Sequence, residues 1–165
     1  MALVILMCGL PGVGKSTLAS KLAPLVNAVV LSTDQIRKEL FPKPTYALKE
    51  KGVVYDVMIL LARYLYEAGV NCILDATFTN ERSRTKVKNE LRLSNSYMRI
   101  IECICPEEIV LKRLINRRPG YSDANASVYL RMKKFNEPIL NHHITVDTCK
   151  ISKLDTERIV NYLLK

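Results

Sequence analysis

A nine-residue segment close to the start of the chain has the residue types and spacing that hold a phosphate group. Residues 9 to 17 read G-L-P-G-V-G-K-S-T and match the pattern G-x-x-x-x-G-K-S/T in full. Gly12 and Gly14 can adopt backbone angles that are closed to other residues, so successive N–H groups can turn inward around an anion. An apolar run precedes the segment, and the helix predicted after it adds the positive end of its dipole. These residues predict a site for the phosphates of a nucleotide.

The side chains of this phosphate loop have separate predicted tasks. Lys15 would reach the outer phosphates, the Ser16 hydroxyl would bind Mg²⁺, and Thr17 would touch the inner phosphate. The segment is not a dinucleotide fingerprint, because Thr17 stands where the last glycine of that pattern belongs. A strand-to-helix turn that binds nothing is the alternative, and the fixed spacing disfavours it. The remaining predicted nucleotide-binding residues of the loop are Gly9, Leu10, Pro11, Gly12, Val13 and Gly14.

A phosphate loop alone does not identify the reaction, because motors, switches, synthetases and kinases all contain one. The chain has no N-K-x-D motif for guanine, no L-S-G-G-Q motif and no strand ending in Asp-Glu that would activate water. These features favour transfer of the γ-phosphate of ATP to a hydroxyl group of a second substrate. An ATP-binding switch with slow hydrolysis is the alternative class, and GTP as the donor stays open.

Polar residues follow the second and third predicted strands, where a doubly wound sheet opens its ligand crevice. Asp34 could accept the proton of an attacking hydroxyl, with capping of the next helix as the alternative role. Asp75 ends the third strand and could hold Mg²⁺ or the acceptor, with structural hydrogen bonding as the alternative. Arg37 could bind an acceptor phosphate, or it is an ordinary surface arginine. Thr77 and Arg82 complete the predicted acceptor side.

An arginine-rich segment, L-K-R-L-I-N-R-R-P-G-Y-S-D-A, predicts a lid over the triphosphate. Arg113 and Arg117 are four residues apart and therefore share one helix face. Arg118 follows at the start of a Pro-Gly loop. Arginines on such a flap can neutralise the charge that develops on the transferred phosphoryl group, so Arg117 and Arg118 are predicted catalytic residues. The planar guanidinium of Arg113 suits stacking on a purine ring.

Short apolar strands alternate with helical patterns along the chain, which predicts a parallel sheet covered by helices on both faces. The predicted strands are Leu3 to Cys8, Ala28 to Leu31, Asn71 to Leu74, Met98 to Ile104 and Ile144 to Val146. The predicted helices are Lys15 to Leu25, Thr33 to Leu40, Lys49 to Ala68, Asn80 to Leu93, Pro106 to Arg117, Ala124 to Asn136 and Leu154 to Leu164. We expect one domain over residues 1–165, with the lid at about residues 117–124.

Taken together, the phosphate loop, Thr33-Asp34, the Asp75-x-Thr77 loop and the arginine-rich lid resemble small P-loop kinases. The resemblance covers nearly the whole chain and is strongest to the predicted-kinase group that includes polynucleotide 5′-hydroxyl kinases and seryl-tRNA kinase. It implies a three-layer α/β fold like that of nucleoside monophosphate kinases, with five parallel strands. It also implies Lys15 and Ser16 on ATP and Mg²⁺, and Asp34 as the base. Asp75-Ala76-Thr77 departs from the Asp-Thr-Asn of many members.

The net charge of +9 exceeds what an ATP site needs and suits a polyanionic partner, although a solvated basic surface gives the same number. The helix E-R-S-R-T-K-V-K-N-E-L-R would carry a basic face, with Arg84 stacked on Lys88 at helical spacing. An RNA, DNA or tRNA hydroxyl is therefore one candidate acceptor. The absence of Trp argues against base stacking, so a small metabolite or nucleoside is the other candidate.

The five cysteines form no C-x-x-C pair and are predicted to be reduced, buried thiols. The opening M-A-L-V-I-L-M-C has neither a basic leader nor a small-residue cleavage site, so a signal peptide is not expected. No apolar run approaches the roughly 18 residues that a membrane span requires. These features predict a cytoplasmic protein.

Overall fold

Five short apolar segments of the chain form one parallel sheet in the computed structural model, which describes residues 2–95, 97–117, 120 and 122–165. The strands are Val4–Cys8 (β1), Ala28–Ser32 (β2), Asn71–Asp75 (β3), Met98–Ile104 (β4) and Ile144–Asp147 (β5). Their spatial order is β2-β3-β1-β4-β5, and every neighbouring pair is parallel. The predicted α/β fold with a five-stranded parallel sheet is confirmed.

Within the described residues, seven helices and one 3₁₀ turn accompany the strands. They are Lys15–Leu22 (α1), Ala23–Leu25 (the 3₁₀ turn), Thr33–Leu40 (α2), Leu48–Glu67 (α3), Glu81–Glu90 (α4), Glu107–Ile115 (α5), Ala126–Lys133 (α6) and Lys153–Leu164 (α7). The predicted helix after the phosphate loop is too long, because Pro24 tightens its end into the 3₁₀ turn. Within the part of the chain that the structure describes, no helix is both long enough and apolar enough to cross a membrane.

The helices cover both faces of the sheet and give the fold three layers. On one face, Leu6 packs with Val54 and Met58 of α3. On the other face, Ile5 packs with Leu18 of α1 and Ile159 of α7. The central strands are buried on both faces, as predicted, whereas the edge strands β2 and β5 are only partly buried because each has a single neighbour.

The register of the strands brings their carboxyl ends to one edge of the sheet. Met7 of β1 lies beside Asp75 of β3, and Ser32 of β2 lies beside the same residue. The phosphate loop therefore begins next to the end of β3, and α2 begins one strand further out. This placement is the crevice that parallel α/β sheets use for ligands.

Arg84 contradicts the predicted basic face of α4. Its side chain is 1% exposed. The guanidinium donates hydrogen bonds to Phe78 O at 2.8 Å, Pro138 O at 3.0 Å and Glu81 Oε2 at 2.9 Å. Arg84 therefore does not lie on a solvated stripe with Lys88. It fastens the segment before α4 to the segment that follows α6.

We expect Arg84→Ala to lower the free energy of unfolding by about 3 kcal/mol or more, because the buried Phe78 carbonyl and the part-buried Pro138 carbonyl lose their donor. Arg84→Lys should recover only part of this loss, since one ammonium cannot span three acceptors as the guanidinium does. The exposed neighbour provides the control, and Arg82→Ala should change stability by no more than about 0.5 kcal/mol. Urea unfolding of the three variants measures the difference. Equal losses for Arg84→Ala and Arg82→Ala would contradict the structural role of Arg84.

Candidate functional site

One cavity of about 1630 Å³ lies at the carboxyl edge of the sheet. Its walls come from the loops after β1, β2, β3 and β5, and from α5 and α6. Pockets for a single small ligand usually measure about 300–1,000 Å³. The cavity therefore has room for two ligands side by side.

The phosphate loop forms one wall of this cavity. Gly12 and Gly14 have φ angles of +79° and +92°, which side chains rarely permit. A Cβ atom on Gly12 would also lie 2.9 Å from Leu114 Cγ, so α5 leaves no room for a side chain there. The loop leads directly into α1, whose free N–H groups point back towards it. These are the backbone features that the sequence predicted for holding an anion.

Most of the predicted nucleotide-binding residues line the cavity, and some do not. Those that line it are Pro11, Gly12, Gly14, Lys15, Ser16, Thr17 and Arg113. Gly9 donates a backbone hydrogen bond to Thr77 O at 3.2 Å, and Val13 is buried behind the loop. Leu10 accepts a hydrogen bond from Lys15 Nζ at 2.9 Å, which holds the ammonium folded over the loop. The cavity lining therefore does not include Gly9, Leu10 and Val13, which hold the rest of the loop in place from behind.

Ser16 and Asp75 meet at the centre of the cavity. Ser16 Oγ donates to Asp75 Oδ2 at 2.6 Å. Asp75 is 4% exposed, and this burial raises the pKa of its carboxyl group, while the charge of Lys15 and the Ser16 hydrogen bond oppose the shift. A hydroxyl and a carboxylate in contact suit Mg²⁺, which prefers oxygen ligands. Within the described residues no cluster of three or more acidic, His or Cys side chains could cage a metal alone. A Mg²⁺ ion here would therefore take further ligands from phosphate oxygens.

Asp34 lies in the first turn of α2 and lines the same cavity. The helix is capped at Ser32 without a side-chain hydrogen bond, so the alternative role of Asp34 as the helix cap is wrong. Thr33 instead donates to Asp75 O at 3.4 Å. Across the described ranges, the Asp34 carboxylate meets no hydrogen-bond donor. It is thus available to accept a proton from a ligand.

Arg37 is not a surface arginine, because its side chain is only 8% exposed. Its Nε donates to Glu50 Oε1 at 3.1 Å, and its guanidinium lies 4.9 Å from the centre of the Tyr46 ring. Glu50 also accepts hydrogen bonds from the backbone N–H groups of Thr45 and Tyr46. One buried carboxylate therefore fixes both Arg37 and the loop before α3 at the cavity wall.

Two segments that are distant in the chain, the end of α2 with the loop that follows it and the loop before α6, meet beside the cavity. Lys38 Nζ donates to Gly120 O at 2.6 Å and to Asp123 Oδ1 at 3.0 Å. The Tyr46 hydroxyl donates to Asp123 Oδ2. The hydrogen bond from Tyr46, which has the larger effect, and the hydrogen bond from Lys38 both lower the pKa of Asp123. The sequence did not predict this contact, because its partners lie about eighty residues apart along the chain.

The predicted arginines differ in their positions relative to the cavity. Arg113 lines the cavity beside the phosphate loop and donates to Thr148 O at 3.4 Å. Arg117 is exposed, lines the cavity, and donates to Ser122 Oγ at 3.1 Å. Arg118 lies outside the described residues. Arg82 is exposed on α4 and is not part of the cavity wall, whereas Thr77 is.

Five further basic residues line the cavity and were not predicted as site residues: Lys21, Lys51, Arg131, Lys134 and Lys150. Lys51 lies in the first turn of α3, with its ammonium 6.0 Å from the Tyr55 ring centre. Partial desolvation and the nearby charge of Arg37 lower the pKa of Lys51. Arg131 and Lys134 face the cavity from α6 and its end. Their place at the site follows from the fold, which brings α1, α3, α6 and the loop after β5 to one cavity.

Curated relatives match part of this chain. Uncharacterized protein Rv2004c of Mycobacterium tuberculosis is 30% identical over 135 residues, which are 74% of the present chain. The chain spans only 27% of the length of that relative. The match therefore concerns one part of a longer protein.

Solved structures show the same fold over nearly the whole chain. A sugar kinase from Janibacter sp. HTCC2649 has a TM-score of 0.76 at 16% identity, over 99% of this chain and 95% of its own. The APS kinase CysC of Mycobacterium tuberculosis, in complex with AMPPNP and APS, has a TM-score of 0.71 at 14% identity, over 99% and 98% of the two chains. At these identities the likeness establishes the fold.

A family match gives the final comparison. The family AAA_33, described as an AAA domain, matches residues 4–139, which include the phosphate loop, Asp34, Asp75 and both described lid arginines. The chain therefore belongs to this AAA domain family, with a P-loop fold that it shares with structures of kinases.

Proposed function

We propose that the protein is an ATP-dependent phosphotransferase that moves the γ-phosphate of ATP to a hydroxyl group of a small acceptor. The observation that carries the proposal is the Asp34 carboxylate, which accepts no hydrogen bond from any described residue and lines the same cavity as the phosphate loop and Asp75. A cavity with room for two ligands supports a two-substrate reaction.

The donor half of the proposal rests on the phosphate loop. The inward N–H groups of the loop and Lys15 would bind the β- and γ-phosphates, and Arg113 would lie near the adenine ring of ATP. Ser16 and Asp75 would hold Mg²⁺, which neutralises phosphate charge when bound. Arg117, exposed at the cavity wall, would approach the phosphates and stabilise the charge that develops during transfer.

The acceptor half depends on Asp34. Its carboxylate accepts the proton of the acceptor hydroxyl as that oxygen bonds to the γ-phosphorus. The bond from phosphorus to the bridging oxygen breaks at the same time, and ADP leaves with the electron pair. Asp75 lies close enough for the charge of Asp34 to raise its pKa, so the base stands beside the metal ligand.

The charge of the cavity supports an acceptor that is itself negatively charged. Of the described residues that line the cavity, nine are Lys or Arg and four are Asp or Glu. Magnesium-bound ATP neutralises only part of this excess. On the acceptor side, Arg37 and Lys51 are close enough for the arginine to lower the pKa of the lysine. An anionic group between them would relieve this repulsion.

A nucleic-acid acceptor has less support than the basic composition suggests. Arg84 is buried, and Lys86 is paired with Asp56. Lys88 donates to Asn95 Oδ1 at 2.6 Å. The basic stripe predicted along α4 is therefore largely engaged with the protein itself. A polynucleotide would have to reach the cavity past Arg131 and Lys134.

Asp34→Asn should leave ATP affinity nearly unchanged and lower the transfer rate roughly 10²-fold or more, because only the proton acceptor is lost. Single-turnover transfer and equilibrium ATP binding, measured side by side, separate the two effects. Glu39→Gln is the matched control, since it removes a charge from the same helix outside the cavity. Near-normal transfer by Asp34→Asn would remove Asp34 as the base and make Asp75 the next candidate.

Asp75→Asn should stabilise the ligand-free protein at pH 7 while weakening Mg²⁺-dependent ATP binding roughly tenfold or more. A carboxyl group with a raised folded-state pKa contributes stability that is present below its unfolded pKa and lost as pH rises through the folded value. The stability gain of Asp75→Asn should therefore shrink as the pH is lowered towards about 4. Urea unfolding and ATP titrations with and without Mg²⁺ measure both effects. Asp56→Asn, an exposed carboxylate, is the control.

The decisive experiment measures transfer of labelled phosphate from ATP to pooled acceptors. The pools should separate hydroxyl compounds that carry carboxylate or phosphate groups, neutral sugars and nucleosides, and 5′-hydroxyl oligonucleotides or tRNA. We expect labelled product in the anionic small-molecule pool. The Lys15→Ala variant should give no labelled product, because it lacks the ammonium group that binds the outer phosphates of ATP. Label only in a nucleic-acid pool would overturn the small-acceptor proposal. Slow ATP hydrolysis that no pool accelerates would favour an ATP-dependent switch.

A further inference from the structure

Two cysteines meet at the edge of the nucleotide-binding half of the cavity. Cys105 directly follows β4, and Cys149 lies two residues after β5. The two strands are neighbours, with Ile104 beside Asp147, so both cysteines leave the sheet at the same edge. Their Sγ atoms lie 2.7 Å apart. None of the chemistry proposed above uses either thiol.

These two cysteines differ from the other three. Cys8, Cys72 and Cys103 are buried, and burial raises the pKa of each thiol to about 12. Cys105 and Cys149 are only half-buried, so the prediction that all five thiols are buried is wrong for this pair. A small oxidant can therefore reach the pair, while the protein interior shields the others.

We propose that Cys105 and Cys149 form a site of reversible oxidative modification, at which hydrogen peroxide closes an intramolecular disulfide. The Cys105 sulfur attacks one peroxide oxygen, the O–O bond breaks, and the departing hydroxide takes the thiol proton to form water. The Cys149 sulfur then attacks the resulting sulfenic acid. The S–O bond breaks, and the hydroxide takes the Cys149 proton to form a second water. Two thiols lose two electrons, and the peroxide gains them.

The surroundings of the pair assign the two roles. The hydrogen bond shared with Cys105, partial burial and the Asp147 carboxylate together raise the pKa of Cys149 to about 12. Because the thiolate is the attacking form, this shift disfavours Cys149 as the first nucleophile, and the half-buried Cys105 attacks the peroxide. The Asp147 carboxylate also accepts the backbone N–H of Cys149 at 2.9 Å, which fixes the loop that carries this thiol.

The disulfide would constrain the wall of the nucleotide site. Thr148, next to Cys149, donates from its hydroxyl to Val13 O of the phosphate loop and accepts from Arg113 at its carbonyl. Cys149 itself lines the cavity together with Lys150 and Ile151. An S–S bond of about 2.05 Å would tie this wall to the end of β4. A wall held in place must open more rarely, so nucleotide dissociation should slow by about threefold or more.

The modification is tested on the full chain with hydrogen peroxide, followed by alkylation of the remaining thiols and non-reducing peptide mapping. We expect a peptide linked through Cys105 and Cys149, a mass loss of two hydrogen atoms, and complete reversal by dithiothreitol. Cys103→Ala should retain the linked peptide, whereas Cys105→Ser should leave Cys149 open to alkylation. Linkage through other cysteines, oxidation of Cys105 beyond sulfenic acid without linkage, or alkylation of both thiols would overturn the proposal.

The effect on the site is measured by dissociation of a fluorescent ADP analogue from the reduced and the oxidised protein. We expect slower dissociation after oxidation, reversed by dithiothreitol, and no change on oxidation of Cys105→Ser. An unchanged rate in the disulfide-linked protein would overturn the link to nucleotide exchange. Because peptide mapping needs no acceptor and no catalysis, its outcome is separate from that of the phosphotransfer proposal.

Discussion

The hydrogen bond from Ser16 to Asp75 is the contact on which the arrangement of the site depends. It joins the first turn of α1 to the last residue of β3, and β3 is the strand that separates β1 from β2. The phosphate loop is thereby fixed relative to α2, which begins beside the end of β3 and carries Asp34. A small shift of Asp75 would change both the metal ligands and the distance from the base to the phosphates.

This contact carries a cost in stability, because Asp75 is a carboxylate inside the protein. Its charged form is opposed by burial and only partly favoured by Lys15 and the Ser16 hydroxyl. The other buried charges are better satisfied: Arg37 faces Glu50, and Arg84 meets two carbonyl groups as well as Glu81. Asp75 keeps a carboxylate whose charge burial opposes beside the Ser16 hydroxyl, which suits the proposed cation site, whereas the contacts of Arg84 serve the fold.

The sequence predicted those features that depend on residues close together in the chain. The phosphate loop is a local pattern, and the strands and helices follow local apolar periodicity, so their positions were predicted with small errors at the ends. Contacts between distant segments were not predictable. Arg84 looked like one more solvated arginine, because its acceptors at Phe78 and Pro138 come together only in the folded chain. The contact between Cys105 and Cys149 likewise depends on the pairing of β4 with β5.

The same division separates the two halves of the reaction. The donor half is encoded within the phosphate loop and β3, and it is therefore the half that the sequence identifies most firmly. The acceptor half is assembled from α2, the loop before α3, and the segment around Asp123, which are joined by Glu50, Lys38 and Tyr46. Glu50 fixes Arg37, Thr45 and Tyr46 at once. In the proposed reaction, a change in this group of contacts would alter which acceptor fits while leaving the phosphate loop intact.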